Sequence, residues 1–160
     1  SAIHLDMIWT ALDRELCCVY PPYFIGPTRR PVVHLKRDRA GVREVDGLFS
    51  VLRELDHPME PLFCGGDKRT MQEREQWGSG CNFVAVAPGQ VIAYGRNEHT
   101  LEALAAGAGF RSMDAKEFLS ATDLPAAGDR VVITFDGSEL VRGGGGPRCM
   151  TMPILRDDPE

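Results

Sequence analysis

A cysteine at the end of a glycine run is the first place in this 160-residue chain where chemistry could happen. Residues 142–149 read Arg-Gly-Gly-Gly-Gly-Pro-Arg-Cys. Consecutive glycines let the backbone approach a ligand closely and take positive φ, and Pro147 stiffens the exit. Arg148 sets a guanidinium beside Cys149, and a positive charge favours the thiolate, the nucleophilic form. The same residues also read as a flexible linker entering a strand over 150–155, with an inert, packed thiol. The run is not a P-loop, because no Gly-Lys-Ser/Thr follows the glycines.

At the other end of the chain stand His4 and Asp6. On an expected strand over 3–12 they share one face, since strand side chains alternate with period two. Histidine supplies acid–base chemistry near neutral pH, and a carboxylate beside it can bind a cation or orient the ring. Alone, the pair reads as a surface feature. With Cys149 it completes a nucleophile, an acid–base group and a carboxylate, the parts of covalent catalysis. That reading requires the two ends of the chain to meet. His34, His57 and His99 fall in loops or at helix ends and read as solvated. Cys64 and Cys81, each beside glycine, read as packed thiols, and residues 67–76 as a solvated helix or loop. With no Cys-x-x-Cys or His-x-x-x-His pair, a structural zinc site is not expected.

The elements that must position these residues are those of a single α/β domain. The length suffices for one core, and 43% apolar with 26% charged residues is a globular balance. A net charge of −5 argues against nucleic acid as the main partner. No apolar run is long enough to span a membrane, and residues 1–20 lack the layout of a signal peptide. Five cysteines without framework spacing point to reduced thiols and a cytoplasmic setting.

Residues 3–12 and 16–20 read as a hairpin turning at 13–15. A proline-rich loop, a short strand over 32–35 and a basic turn over 36–39 follow. Leu48, Val51, Leu52 and Leu55 at i, i+3, i+4 and i+7 predict a helix over 46–55 with Asp46 as N-cap. A strand over 60–63 and a turn at 64–67 complete the unit. The pattern then recurs: strands over 83–87 and 91–94, a helix capped by Asn97 and ended by Gly107, and a strand over 110–113. A helical turn over 115–121, a loop over 124–130 and a strand over 131–135 come next, and the last four residues read as disordered. The order strand-strand-helix-strand thus occurs twice, which suggests modules set around an axis.

The chain resembles the C-terminal part of the bacterial arginine deiminase family, within the guanidino-group-modifying superfamily. The resemblance rests on His4-Leu5-Asp6, Cys64-Gly65-Gly66, Arg74-Glu75-Gln76-Trp77 and Gly80-Cys81-Asn82, and on the run 85–89. It continues through Tyr94-Gly95-Arg96-Asn97, Ser138-Glu139-Leu140 and residues 145–150. It implies an α/β propeller, the pentein fold, of five ββαβ modules. Two of them would lie at about 3–63 and 82–114, with a glycine-rich loop and closing strand over 138–155, all within one domain over 1–160. It implies Cys149 as nucleophile, His4 as general acid–base and Asp6 as a carboxylate gripping a small-molecule guanidine substrate. The reaction would turn arginine and water into citrulline and ammonia, with no metal or organic cofactor.

Gly144 stands where the family pattern has a second arginine, one that helps bind the substrate carboxylate. This opens the alternative of another guanidine, agmatine or a methylated arginine. The family's N-terminal half, with further substrate-binding groups, has no counterpart in the sequence. A fragment or split subunit is therefore expected, pairing with such a half in trans or forming a homo-oligomer, with apolar faces between modules left uncovered. A non-catalytic binding subunit of the same fold is the reading from another class.

If Cys149 is the nucleophile, a haloacetamidine should alkylate it faster than Cys17, Cys18, Cys64 or Cys81. Peptide mapping by mass spectrometry checks this, and equal labelling of all five thiols would count against it. His4 and Cys149 should also face a common cleft, separated by about one substrate diameter.

Overall fold

Leu16-Cys17-Cys18-Val19 is an unbroken apolar run, the pattern of a strand covered on both faces. The computed structural model describes residues 2, 4–37 and 41–155, and this run is the central strand of its first sheet. β1 (Trp9–Ala11) pairs antiparallel with β2 (Leu16–Val19), Trp9 opposite Val19 and Ala11 opposite Cys17. Cys17 and Cys18, pointing to opposite faces, are both fully buried.

The strand expected over 3–12 is shorter than that. Its described upstream part is a 3-10 turn, Leu5–Met7, closed by Met7 N–H donating to the His4 carbonyl. The reason lies in the partner strand. β2 ends before Pro21-Pro22, where α1 (Pro21–Phe24) starts, so the last rung available is Tyr20 N–H to the Ile8 carbonyl. Upstream of Ile8 there is nothing to pair with, and the chain satisfies its own backbone groups by turning. His4 and Asp6 therefore flank a turn rather than share a strand face.

After α1, β3 (Val32–Leu35) and β4 (Val42–Val45) make a separate two-stranded sheet, with Leu35 opposite Val42 and Val32 opposite Val45. β4 was not expected from sequence. His34 lies on β3 opposite Arg43, half-buried, with its Nδ1 lacking a hydrogen-bond partner. It is not the solvated loop residue expected. Of the basic turn over 36–39, residues 38 and 39 lie outside the described residues, as do the final residues read as disordered.

α2 (Leu48–Glu54) has Gly47, not Asp46, at its N-cap, with no side-chain cap. Val51 is buried, and Leu48 and Leu52 are half-buried, while Leu55, just past the last turn, is exposed. β5 (Glu60–Phe63) then runs parallel to β2, giving the sheet order β1-β2-β5.

α3 (Arg69–Trp77) occupies the segment expected to be solvated, yet Gln72 and Glu75 on it are buried. Gly65, at φ +74°, lies beneath this helix, where a Cβ would strike the backbone of Met71 and Gln72. The Glu75 carboxylate accepts from His99 N–H at 3.0 Å, from Thr100 N–H at 2.8 Å and from the Thr100 hydroxyl at 2.6 Å. These amides open α4 (Glu98–Ala108) and would otherwise be unsatisfied. Asn97 is at the N-cap of α4, but its side chain turns away to donate to the Gly78 carbonyl.

The second sheet contains β6 (Val84–Ala87), β7 (Gln90–Tyr94), β8 (Arg111–Asp114) and β9 (Val131–Phe135) in the order β6-β7-β9-β8. β7 and β9 are parallel, Gln90 opposite Val131 through Tyr94 opposite Phe135. The strand expected near 110–113 forms as β8 (Arg111–Asp114), but it does not pair with β7. β9, reached through α5 (Ala115–Ser120), takes the place beside β7, and β8 is pushed to the edge. The burial explains the order: Val131, Val132 and Ile133 are all buried, whereas only Met113 is buried on β8. α4 runs past Gly107 to Ala108 and ends on Gly109 in the left-handed region, φ +69°. Gly107 serves instead where α4 crosses β5, since a Cβ there would lie 2.7 Å from Leu62 Cδ2.

The faces between the two sheets are not uncovered. Leu12, Cys18, Cys64, Phe83, Val91, Leu104 and Val132 belong to one buried cluster that joins them. Among the described residues no helix is long and apolar enough to cross a membrane.

Glu75→Ala removes the acceptor for three donors, two of them buried, and should lower stability by about 3 kcal/mol. Urea unfolding monitored by circular dichroism measures this. Glu75→Gln, which keeps one carbonyl oxygen, should lose less. Equal, marginal losses in both would show that Glu75 does not hold α4.

Candidate active site

Four glycines in a row leave the backbone undetermined until something packs against it, and the structure distinguishes them. The segment forms a 3-10 turn, Leu140–Gly143, and another, Arg148–Met150. The closing strand expected within 138–155, and in particular over 150–155, does not form. Pro153 carries no N–H to donate, and Met152, Ile154 and Leu155 remain largely exposed. A Cβ on Gly143 or Gly144 would meet nothing within 4 Å, whereas a Cβ on Gly145 would lie 2.8 Å from Cys149 Cβ. A Cβ on Gly146 would lie 2.7 Å from Asn82 Cβ. Two glycines are required for close approach, and the other two leave room for a Cβ.

Asn82 joins the pieces of the site. It is 1% exposed. Its Oδ1 accepts from Gly146 N–H at 3.0 Å and from Cys149 N–H at 3.1 Å. Its Nδ2 donates to the Asp6 carbonyl and to Cys149 Sγ, both at 3.2 Å. One side chain thus ties the turn of Asp6 to the loop of Cys149. Sequence reasoning did not select Asn82 as a site residue. The available signal was a single amide between the apolar Cys81 and Phe83, which only burial turns into a hub.

The consequence is that Cys149 Sγ lies 3.8 Å from Asp6 Oδ1, across 143 residues of sequence. Asp6 and His4 line a groove of about 1080 Å³ together with Arg148, between β1, β6 and residues 151–155. Cys149 adjoins that groove through Asp6 and Arg148. Among the described residues the His4 ring has no hydrogen-bond partner, which leaves both its nitrogens available.

Cys149 is the exposed one of five free cysteines; the other four are buried. Burial, reinforced by Cys18, pushes Cys17 up to about 12. Burial likewise raises Cys18 and Cys81, so these are held as neutral thiols, packed as expected for Cys81 and Cys64. Tyr94, at the end of β7, has a buried hydroxyl without a hydrogen-bond partner, and its ionisation is raised by burial and then by Cys149. Among the described residues no group of three or more His, Cys, Asp or Glu is arranged to hold a metal ion.

The arrangement is suited to a cation. An amide N–H aimed at sulfur gains strength as negative charge develops there. A carboxylate at contact distance would oppose that charge unless a positive group lay between or beside the two. Asn82→Asp keeps the acceptor for the two loop amides but removes the Nδ2 hydrogen bonds. It should retain the fold and slow alkylation of Cys149. Asn82→Ala should also destabilise the chain, by about 2 kcal/mol. Thermal unfolding and timed alkylation separate the two effects, and an unchanged rate in Asn82→Asp would overturn the assignment.

Comparison with known proteins agrees with the resemblance. The family model described as arginine deiminase matches residues 1–156. An arginine deiminase of Clostridium perfringens is 33% identical over 161 residues, covering 98% of this chain and 34% of the relative. One from Treponema denticola is 32% identical over 161 residues, again covering 98% and 34%. A third, from Mycoplasma capricolum, is 34% identical over 158 residues with the same coverage. The chain spans about a third of the length of the curated relatives it matches, and across that span it belongs to the arginine deiminase family.

Proposed function

We propose that this chain carries the nucleophile, the acid–base histidine and one substrate-gripping carboxylate of an arginine deiminase-like hydrolase. The observation that carries the reading is the meeting of the chain's two ends. An exposed cysteine and a carboxylate stand 3.8 Å apart, beside a groove that also holds His4. A guanidinium is planar, permanently charged and rich in donors, so it needs carboxylates to hold it.

In this reading Asp6 grips the guanidinium and Cys149 Sγ attacks its carbon, giving a tetrahedral adduct. The C–N bond breaks, and His4 protonates the departing ammonia. His4 then takes a proton from water, which attacks the same carbon; the C–S bond breaks and the thiolate returns. One water enters and one ammonia leaves, turning arginine into citrulline. The relatives' names support arginine as substrate. We further place the two sheets within a propeller of five ββαβ modules, acting in the cytoplasm. The other modules would come from an N-terminal half in trans, or the chain would act as a homo-oligomer.

Gly144 favours the second reading, another guanidine such as agmatine or a methylated arginine. Its φ of +79° disfavours any side chain, so the cation the family pattern supplies there is absent. A binding subunit without turnover is the remaining alternative.

Citrulline and ammonia release from arginine, and ammonia release from agmatine, should be measured with and without the N-terminal part of a relative. Turnover should depend on that part and fall at least about 1000-fold in Cys149→Ala. Unchanged turnover in Cys149→Ala would exclude the nucleophile. A monomer of the chain alone turning over arginine at about 1 s⁻¹ or faster would overturn the need for a partner.

A further inference from the structure

Three arginines line a second, separate pocket of about 280 Å³. Arg74 comes from the last turn of α3, Arg96 from the turn between β7 and α4, and Arg142 from the 3-10 turn Leu140–Gly143. The exposed indole of Trp77 stands among them. None of the residues lining this pocket lines the groove of His4 and Asp6.

Like charges gathered in so small a volume repel unless an anion offsets them. The carboxylate in the lining is already committed, since Glu75 is saturated by the amides and hydroxyl at the start of α4. Arg142 pairs with Glu139 at 2.9 Å, but both side chains are about four-fifths exposed, and such pairs contribute little. Arg74 and Arg96 have no ion pair among the described residues. This concentration of positive charge stands in a chain whose net charge is −5.

We propose that this pocket binds a small, multiply charged oxyanion, a phosphate group by preference. A tetrahedral dianion offers acceptors on several sides, matching donors that arrive from three separate elements. Binding has a structural consequence. Arg142 lies three residues before Gly145, which packs on Cys149, and four before Gly146, which donates to Asn82. An anion bridging Arg142 to Arg74 and Arg96 ties the start of the nucleophile's loop to α3 and α4. It thereby steadies the segment that presents Cys149.

The test titrates the 160-residue chain with inorganic phosphate, methyl phosphate and acetate at constant ionic strength, reading tryptophan fluorescence. Phosphate should give a saturable change with a dissociation constant on the order of 1 mM, absent in Trp77→Phe. Arg74→Gln and Arg96→Gln, both at exposed positions, should each weaken it about tenfold. Phosphate should also change the alkylation rate of Cys149 in the parent chain and not in the double variant. A methyl phosphate response equal to that of phosphate assigns the site to phosphate groups on larger molecules; a response to inorganic phosphate alone assigns it to the free ion. An acetate response matching phosphate, or a phosphate response unchanged in the double variant, overturns the proposal. These readings use no substrate, so they stand or fall independently of the hydrolase reading.

Discussion

Everything at the candidate site depends on one buried side-chain amide. The Asn82 side chain makes five hydrogen bonds, two from backbone donors of the Cys149 loop, one to Cys149 sulfur, one to the Asp6 carbonyl and a long one to Met7 sulfur. A buried amide with unmet partners is expensive, and the groups it serves would be equally so without it. The segments of Asp6 and Cys149 are held together because both bond to this one side chain. Gly146 has no Cβ because the Asn82 side chain fills that space, so the hub and the glycine are a single constraint seen from two sides.

Glu75 plays a parallel part at the next layer. It satisfies the first amides of α4, and α4 packs on β5 through the space left by Gly107. The first sheet is thereby clamped to the helix of the second, and one apolar cluster runs through both. Thr100, fully buried, extends the link by accepting from Gly65 N–H at 2.8 Å. Polar contacts of this kind fix geometry within a core whose cohesion comes from Leu12, Phe83, Val91, Leu104 and Val132.

What sequence reveals of such a fold follows from how local each cause is. Apolar runs and 3.6-residue spacing are local, and the strands 60–63 and 131–135 stand where their composition puts them. Strand order is not local. Nothing near Val131 says that it slides between β7 and β8; only the greater burial available to its apolar residues decides it. The turn at Leu5–Met7 depends on the length of β2, ten residues further on, and on the prolines that end it. Likewise Asn82 and Glu75 read as ordinary polar residues until the fold buries them. Cys149 and Asp6 stand out in the sequence as candidates through their residue types and the family resemblance, but the amide that brings them together does not.

The glycine run shows how tight positioning and access coexist. Sγ and Oδ1 at 3.8 Å are in contact, so a planar cation can come between them only if one side yields. The Asp6 turn is closed by its own backbone bonds and anchored to Asn82. Gly145 and Gly146 are pinned by contacts that leave no room even for a Cβ. A Cβ at Gly143 or Gly144 would meet nothing within 4 Å, and Gly144, whose N–H donates to the Val141 carbonyl, sits at a φ of +79° that glycine adopts without strain. A displacement of 145–149 from Asp6 therefore has its pivot at 143–144 and gives up the two bonds that Gly146 and Cys149 donate to Asn82. A side chain at 144 would stiffen the pivot and add a group to the site together. With glycine there, this chain trades a side-chain contact for freedom in the segment that carries Cys149.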